Sequence, residues 1–226
     1  MATTNVNDIS MQQIELNNAL PNVFAGQPTG NNHSDVWRTR LTFERGKRYL
    51  VSAESGTGKS SLCSYIYGYR RDYSGTIAFD GTDIGTLTVA QWCDIRQRHI
   101  AYLPQDLRLF GELTAIENVQ LKNRLTHHKT HQQIVQLFDE LGIADKVDSL
   151  VAKLSIGQQQ RVAIIRALCQ PCDFILLDEP VSHLDEDNNR TVAALVVREA
   201  SQQGAGIIAT SVGYHLQMDV DRLLNL

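Results

Sequence analysis

At 226 residues, 42% of them hydrophobic and 20% charged, the chain is long enough for one sizeable α/β domain, and its composition excludes a disordered or collagen-like protein. A formal net charge of -4 gives no electrostatic reason to expect a nucleic-acid partner. No apolar run approaches the roughly 20 residues of a membrane span, and Met1 to Ser10 lack the basic and apolar parts of a secretory signal. The expectation is a cytoplasmic protein able to dock on a membrane protein.

Residues 1 to about 48 read as strands and turns. "QIEL" and "NVF" come first, then a Gly/Pro/Asn connection, "GQPTGNN", then "DVWRTRLTF", whose "RLTFE" alternates like a half-buried strand. "RYLVSA" reads as a buried strand running through a glycine loop into the helical "KSSLCSYIYGY". "SGTIAFDGTDI" and "HIAYLPQ" follow as strand-like segments. From Asp106 to about Lys153 the texture is helical. "THQQIVQLFDELG" opens on a capping-box pattern, Thr130 to Gln133, and places Ile134, Leu137, Phe138 and Leu141 on one face before Gly142 ends it. A helix over 157–169, the strand "DFILLD", the helix "NRTVAALVVREASQQ", the strand "GIIATS" and a final "DRLLNL" complete the chain. Strands alternating with helices imply a mainly parallel sheet covered on both faces. The expectation is one α/β domain over 1–226, with an antiparallel β portion towards the N-terminus and a helical insertion at about 106–153.

Cys169 and Cys172 form a lone C-x-x-C, and Cys63 and Cys93 lie far from it. Zinc would need a second pair at matching spacing, so neutral thiols are expected. His127, His128 and His131 read as a solvated turn before a capped helix rather than as metal ligands.

"AESGTGKSS" follows a strand and opens a helix, the context that gives a glycine loop physical meaning. The backbone amides of Gly56, Thr57, Gly58, Lys59 and Ser60, with Ser55 and Ser61 flanking, would point into one concavity at a helix N-terminus. Lys59 would reach the outer phosphates, and Ser60 is the expected Mg2+ ligand. The pattern G-x-x-x-x-G-K-[ST] departs at its first position, which is Ala53. "FILLDEP" supplies the complementary half: an apolar strand delivers Asp178, a candidate Mg2+ ligand, to the sheet edge, and Glu179 beside it is placed to act as general base on an attacking water.

"LSIGQQQR", Leu154 to Arg161, puts a serine and a glycine at a helix start with no ligand nearby in sequence. With "YLPQ" before the helical insertion, "LDEP" after it and "SHLD" at Ser182 to Asp185, the order over about residues 12 to 226 resembles the ATP-binding cassette (ABC) family. That resemblance implies a P-loop NTPase fold, ATP and Mg2+ as ligands, and two cassettes packed head to tail, a homodimer being the simplest arrangement. Ser155, Gly157 and Gln158 of one copy would then cap the γ-phosphate held by the Lys59 loop of the other. It further implies that Gln105 touches Mg2+ or the attacking water, that Asp185 links the two sites, and that Phe24 stacks on adenine, with Trp37 the second choice.

Two further departures stand out. Ile156 replaces the first glycine of the family's "LSGGQ". Ser211 occupies the place after "GIIAT" where the family carries a histidine on the γ-phosphate, and His215 would substitute only if its loop folds back. Glu179 implies an ATPase, and Ser211 a slow one. The resemblance implies the nucleotide-binding subunit of a transporter with a separate transmembrane permease, and hence a place on the inner face of the membrane. It is nearer in style to lipoprotein-release and macrolide-export cassettes than to sugar importers. The alternatives are a slow ATP-gated dimer module with a regulatory role and a non-transport ABC ATPase.

Overall fold

The computed structural model describes residues 10–26, 34–52 and 56–226. Five parallel strands form its central sheet: β3 (Arg48–Ser52), β6 (Ile100–Leu103), β7 (Phe174–Asp178), β8 (Gly206–Ser211) and β9 (Arg222–Asn225), in the order β6-β7-β8-β3-β9. Every residue of β7 and β8 is buried. Because side chains alternate across a strand, each strand feeds two cores. Ile175, Leu177, Ile207 and Ala209 enter one, shared with the inserted helices; Phe174, Leu176 and Ile208 enter the other, shared with a second sheet.

That second sheet is antiparallel, in the order β2-β1-β4-β5, built from β1 (Gln13–Pro21), β2 (Arg40–Glu44), β4 (Tyr73–Phe79) and β5 (Thr82–Asp83). It meets the central sheet so tightly at Gly206 that a Cβ there would lie 2.8 Å from the Phe174 ring and 2.9 Å from the Glu44 carbonyl. The helices are α1 (Lys59–Ile66), α2 (Val89–Arg98), α3 (Ala115–Asn123), α4 (His131–Glu140), α5 (Ile156–Leu168) and α6 (Glu186–Gln203). Four of them open on the same device: Thr88 with Gln91, Thr114 with Glu117, Thr130 with Gln133 and Ser155 with Gln158 each form a reciprocal capping box. The helices α3 and α4 and two short 3-10 turns occupy the chain between β6 and α5.

Two expected strands are not strands. Asn22–Phe24 is a 3-10 turn, because Pro21 ends the β1 ladder and the Ala25 amide folds back onto the Asn22 carbonyl at 3.1 Å. Residues 34–39, ahead of β2, are also turn: Ser34 Oγ accepts the amides of Val36 and Trp37 at 3.1 and 2.8 Å, offering the backbone an alternative to a ladder. Most of the "GQPTGNN" connection lies outside the described residues. Cys63, Cys169 and Cys172 are buried, and burial pushes the Cys169 and Cys172 thiols up to about 12, so they are neutral at physiological pH. No described helix is long and apolar enough to cross a membrane.

Candidate nucleotide site

The carboxyl edge of the central sheet gathers most of the candidate residues, which is where open α/β sheets place ligands. The turn between β3 and α1 carries Gly56 and Gly58 at φ of +87° and +100°, the left-handed region that favours glycine. Gly58 is required twice over. A Cβ there would lie 3.2 Å from the Phe24 ring and 3.3 Å from Trp37. Ala53 and Ser55 lie outside the described residues. Lys59 begins α1 and is buried, and Ser61 accepts a hydrogen bond from Arg70 Nη1 at 2.9 Å. Trp37 is also buried; its Nε1 donates to the Thr57 carbonyl at 3.1 Å, so the indole supports the loop from beneath. Phe24 is half-buried on the other side of Gly58.

Asp178 ends β7 and is buried. Burial pushes its carboxyl above the ordinary value, against opposing pulls from hydrogen bonds of Thr210 and Ser60 and from the Lys59 charge. Thr210 Oγ1 donates to Asp178 Oδ1 at 2.8 Å. Ser60 Oγ also lies 3.4 Å from Gln105 Oε1. Ser60, Ser64, Tyr102, Gln105, Arg108 and Asp178 line one cleft of about 410 Å³. Hydroxyl, amide oxygen and carboxylate make an all-oxygen donor set suited to a hard cation, and a cation would relieve the buried charge of Asp178.

Glu179 follows at φ +50°, half-buried and outside helical or strand geometry. Its amide donates to Thr210 Oγ1 at 3.3 Å, and its carbonyl accepts from Gln160 Nε2 at 3.2 Å. Ser211 is only 2% exposed, and its hydroxyl finds no hydrogen-bond partner among the described residues. His215 does not fold back: Asn189 Nδ2 holds its carbonyl at 2.9 Å, and its ring faces solvent four residues away.

The turn at Ser155 stands apart. Ser155 Oγ accepts the Gln158 amide at 3.3 Å, and Gln158 Oε1 accepts the Ser155 amide at 2.9 Å. Beside them Ile156 is 50% exposed. Gly157 packs against the loop after Glu179: a Cβ there would lie 3.0 Å from the His183 carbonyl. Asp185 caps α6, accepting the Asn188 amide at 2.9 Å, and that bond holds its carboxyl below the ordinary range.

Two contributors escaped the sequence reading. Thr210 touches both acids, and its only mark in sequence is a hydroxyl inside the apolar run "GIIAT". Gln160 is buried and joins the Glu179 carbonyl to the His183 amide, which donates to its Oε1 at 3.2 Å. It is the third of three consecutive glutamines, and helical periodicity places it on the inner face.

A glycine cradle at a helix start after β3, a buried aspartate with an adjacent glutamate at the end of β7, one strand removed, and a parallel sheet beneath them define a nucleotide-binding ATPase fold. The family model "ABC transporter" matches residues 37–182, well over half of the chain. The chain is 31% identical over 189 residues to the lipoprotein-releasing system ATP-binding protein LolD of Shewanella frigidimarina, covering 82% of this chain and 79% of that one. It is 30% identical over 189 residues to the macrolide export ATP-binding/permease protein MacB of Vibrio parahaemolyticus, covering 82% of this chain but only 29% of that longer protein. Among solved structures, a post-hydrolysis dimer of an ATP-binding cassette bound to ADP and Pi superposes with a TM-score of 0.79 at 22% identity, covering 94% of each chain. The chain belongs to the ABC transporter family, as an ATP-binding cassette with ATPase activity.

Proposed function

We propose that two copies of this chain close head to tail on two ATP molecules, and that this closure drives a separate transmembrane permease of the lipoprotein-release or macrolide-export type. Each nucleotide would sit on the 55–61 loop of one copy, with adenine against Phe24, beneath the Ser155–Gly157 turn of the other. Ser60, Gln105 and Asp178 would hold Mg2+, which supplies charge neutralisation on the phosphates. Glu179 would take the proton of the attacking water. Asp185 would lie between the two sites, and Ser211, buried at the end of β8, would reach the γ-phosphate only through a water. The chain would work as a single cassette over 1–226, with the helices of about 106–153 as the movable insertion, peripheral on the inner face of the membrane.

The observation that supports this reading is the exposed, capped turn at Ser155, a helix start of the kind that favours anions, on a protein with a phosphate cradle elsewhere. The permease part is supported by Tyr69, Arg108 and Phe110 around the Gln105 loop. All three are exposed, and Arg108 lies 4.6 Å over the Tyr69 ring. The test is gel filtration of Glu179→Gln with saturating ATP and Mg2+. A dimer is expected, and a persistent monomer with no other cassette to pair with overturns the reading.

The burial of Ser211, whose hydroxyl has no partner among the described residues, favours a second reading, a slow ATP-gated dimer that regulates its partner by occupancy. Single-turnover hydrolysis with and without the membrane subunit separates the two: a transport subunit accelerates, a regulatory module stays slow.

A further inference from the structure

We infer that His183 is a catalytic residue supplied in trans, the imidazole of one copy serving the ATP held by the other. The inference rests on the head-to-tail dimer proposed above.

Three observations lead to it. Ser211, at the end of β8, offers the site little reach: it is 2% exposed and its hydroxyl makes no hydrogen bond among the described residues. A serine side chain so enclosed cannot extend to a phosphate at the cradle mouth. An exposed imidazole is available on the loop between Glu179 and Asp185. His183 Nδ1 lies 3.0 Å from Ser182 Oγ, and Ser182 Oγ lies 3.3 Å from the Glu179 carbonyl. The same residue also belongs physically to the Ser155 turn. Its carbonyl lies 3.0 Å from the place of a Gly157 Cβ, and its amide donates to Gln160 Oε1 on α5 at 3.2 Å.

Position follows from the third observation. The surface that the Ser155–Gly157 turn presents to the second copy includes His183, since the His183 carbonyl packs closely over Gly157 and its amide is tied to α5 through Gln160. In a head-to-tail dimer that surface covers the other copy's terminal phosphate. The imidazole would donate a hydrogen bond to a γ-phosphate oxygen or orient the attacking water. The water oxygen bonds to the γ-phosphorus, its proton passes to Glu179, the bond to the bridging oxygen breaks, and ADP and phosphate result. His183 gains and loses no proton over the cycle. Its contribution is charge stabilisation of the kind that costs roughly 10²–10³ in rate when one placed donor is removed.

Complementation between two dead copies tests the arrangement. His183→Ala keeps Glu179 and loses the imidazole; Glu179→Gln keeps the imidazole and loses the base. Each homodimer is expected to hydrolyse ATP at least roughly 10²-fold more slowly than the parent in a single-turnover assay. Mixed, they form hybrids with one complete site if His183 acts across the interface, and about a quarter of the parental rate returns, since half the dimers are hybrids with one working site each. If it acts within its own chain, the mixture stays silent. Gel filtration of the Glu179→Gln/His183→Ala double variant with ATP and Mg2+ separates the underlying reading from this one. A monomer for both Glu179→Gln and the double variant sinks the dimer itself. A dimer with a silent mixture, or a His183→Ala homodimer that hydrolyses at the parental rate, overturns the role given to His183. A dimer with restored turnover establishes it.

Discussion

Thr210 binds both acids of the site: its hydroxyl donates to Asp178 Oδ1 at 2.8 Å and accepts the Glu179 amide at 3.3 Å. One side chain thereby fixes the carboxylate suited to a cation and the backbone of the proposed base. Thr210→Val keeps the shape and removes both bonds, leaving a buried carboxylate short of a donor and an amide unsatisfied. Urea unfolding should show a loss of about 1–3 kcal/mol, and turnover should fall roughly 10–100-fold, as for outer partners of metal ligands. Thr210→Ser should retain most of both. Equal losses in the two variants would show that packing of the methyl matters and the hydroxyl does not.

A pH dependence follows from His99, the residue that leads into β6. Its Nδ1 lies 2.6 Å from Asp173 Oδ2, which also accepts the Met11 amide at 2.8 Å, and Asp94 lies 3.6 Å from Nε2. The Asp173 hydrogen bond raises the imidazole above its ordinary value, against a smaller opposing effect of burial. A raised folded-state value means that stabilisation is full below the unfolded value of about 6.5 and fades as pH climbs through the folded one. The Tm gap between the parent and His99→Gln should therefore be wide at pH 5.5 and shrink by pH 9. A gap independent of pH would remove the charged pair from the account.

The loop after Gln105 contains two consecutive residues in left-handed geometry, Leu107 at φ +56° and Arg108 at φ +48°. Arg166 of α5 holds both carbonyls, that of Arg108 at 2.6 Å. Hydrogen bonds to a charged group are worth about 1.5–3 kcal/mol each, and Arg166 is half-buried. Arg166→Met should free the loop, seen as faster hydrogen exchange over residues 104–110 with α4 unchanged. Uniform acceleration across the chain would mean global destabilisation instead.

Ser211 offers opposite expectations for two substitutions. Ser211→Ala removes a buried hydroxyl that has no partner among the described residues, so nucleotide-free stability should hold or rise by up to about 1 kcal/mol. Ser211→His should raise single-turnover hydrolysis by up to roughly 10²–10³, with a packing cost of about 1–3 kcal/mol. Absence of any gain would show that the reaction does not depend on this position.

What was legible in the sequence was what periodicity and punctuation encode. The fully apolar run of β7 and the capping box and apolar face of α4 read directly. The helix α2 did not, although Thr88 and Gln91 carry the same capping pattern, because Trp92 is its only buried residue and no apolar stripe announces it. The turn at Asn22–Phe24 read as strand because Val23 and Phe24 are strand formers, and the proline before it marks the change. In the site, motif residues were legible because spacing along the chain carries them. Thr210, Gln160 and His183 were not, since their partners lie 32, 19 and 26 residues away in sequence and only folding brings them together.

The cap at Ser155 has a consequence for timing. A hydroxyl oxygen already occupied by the Gln158 amide has its proton left to give, so the tip offers donors and asks for an acceptor rich in negative oxygens. In the proposed sandwich, ATP satisfies that demand and ADP, shorter by one phosphate, does not. Departure of inorganic phosphate would remove the glue from beneath the tip. The reaction would thus write its own release signal, with no additional latch to open.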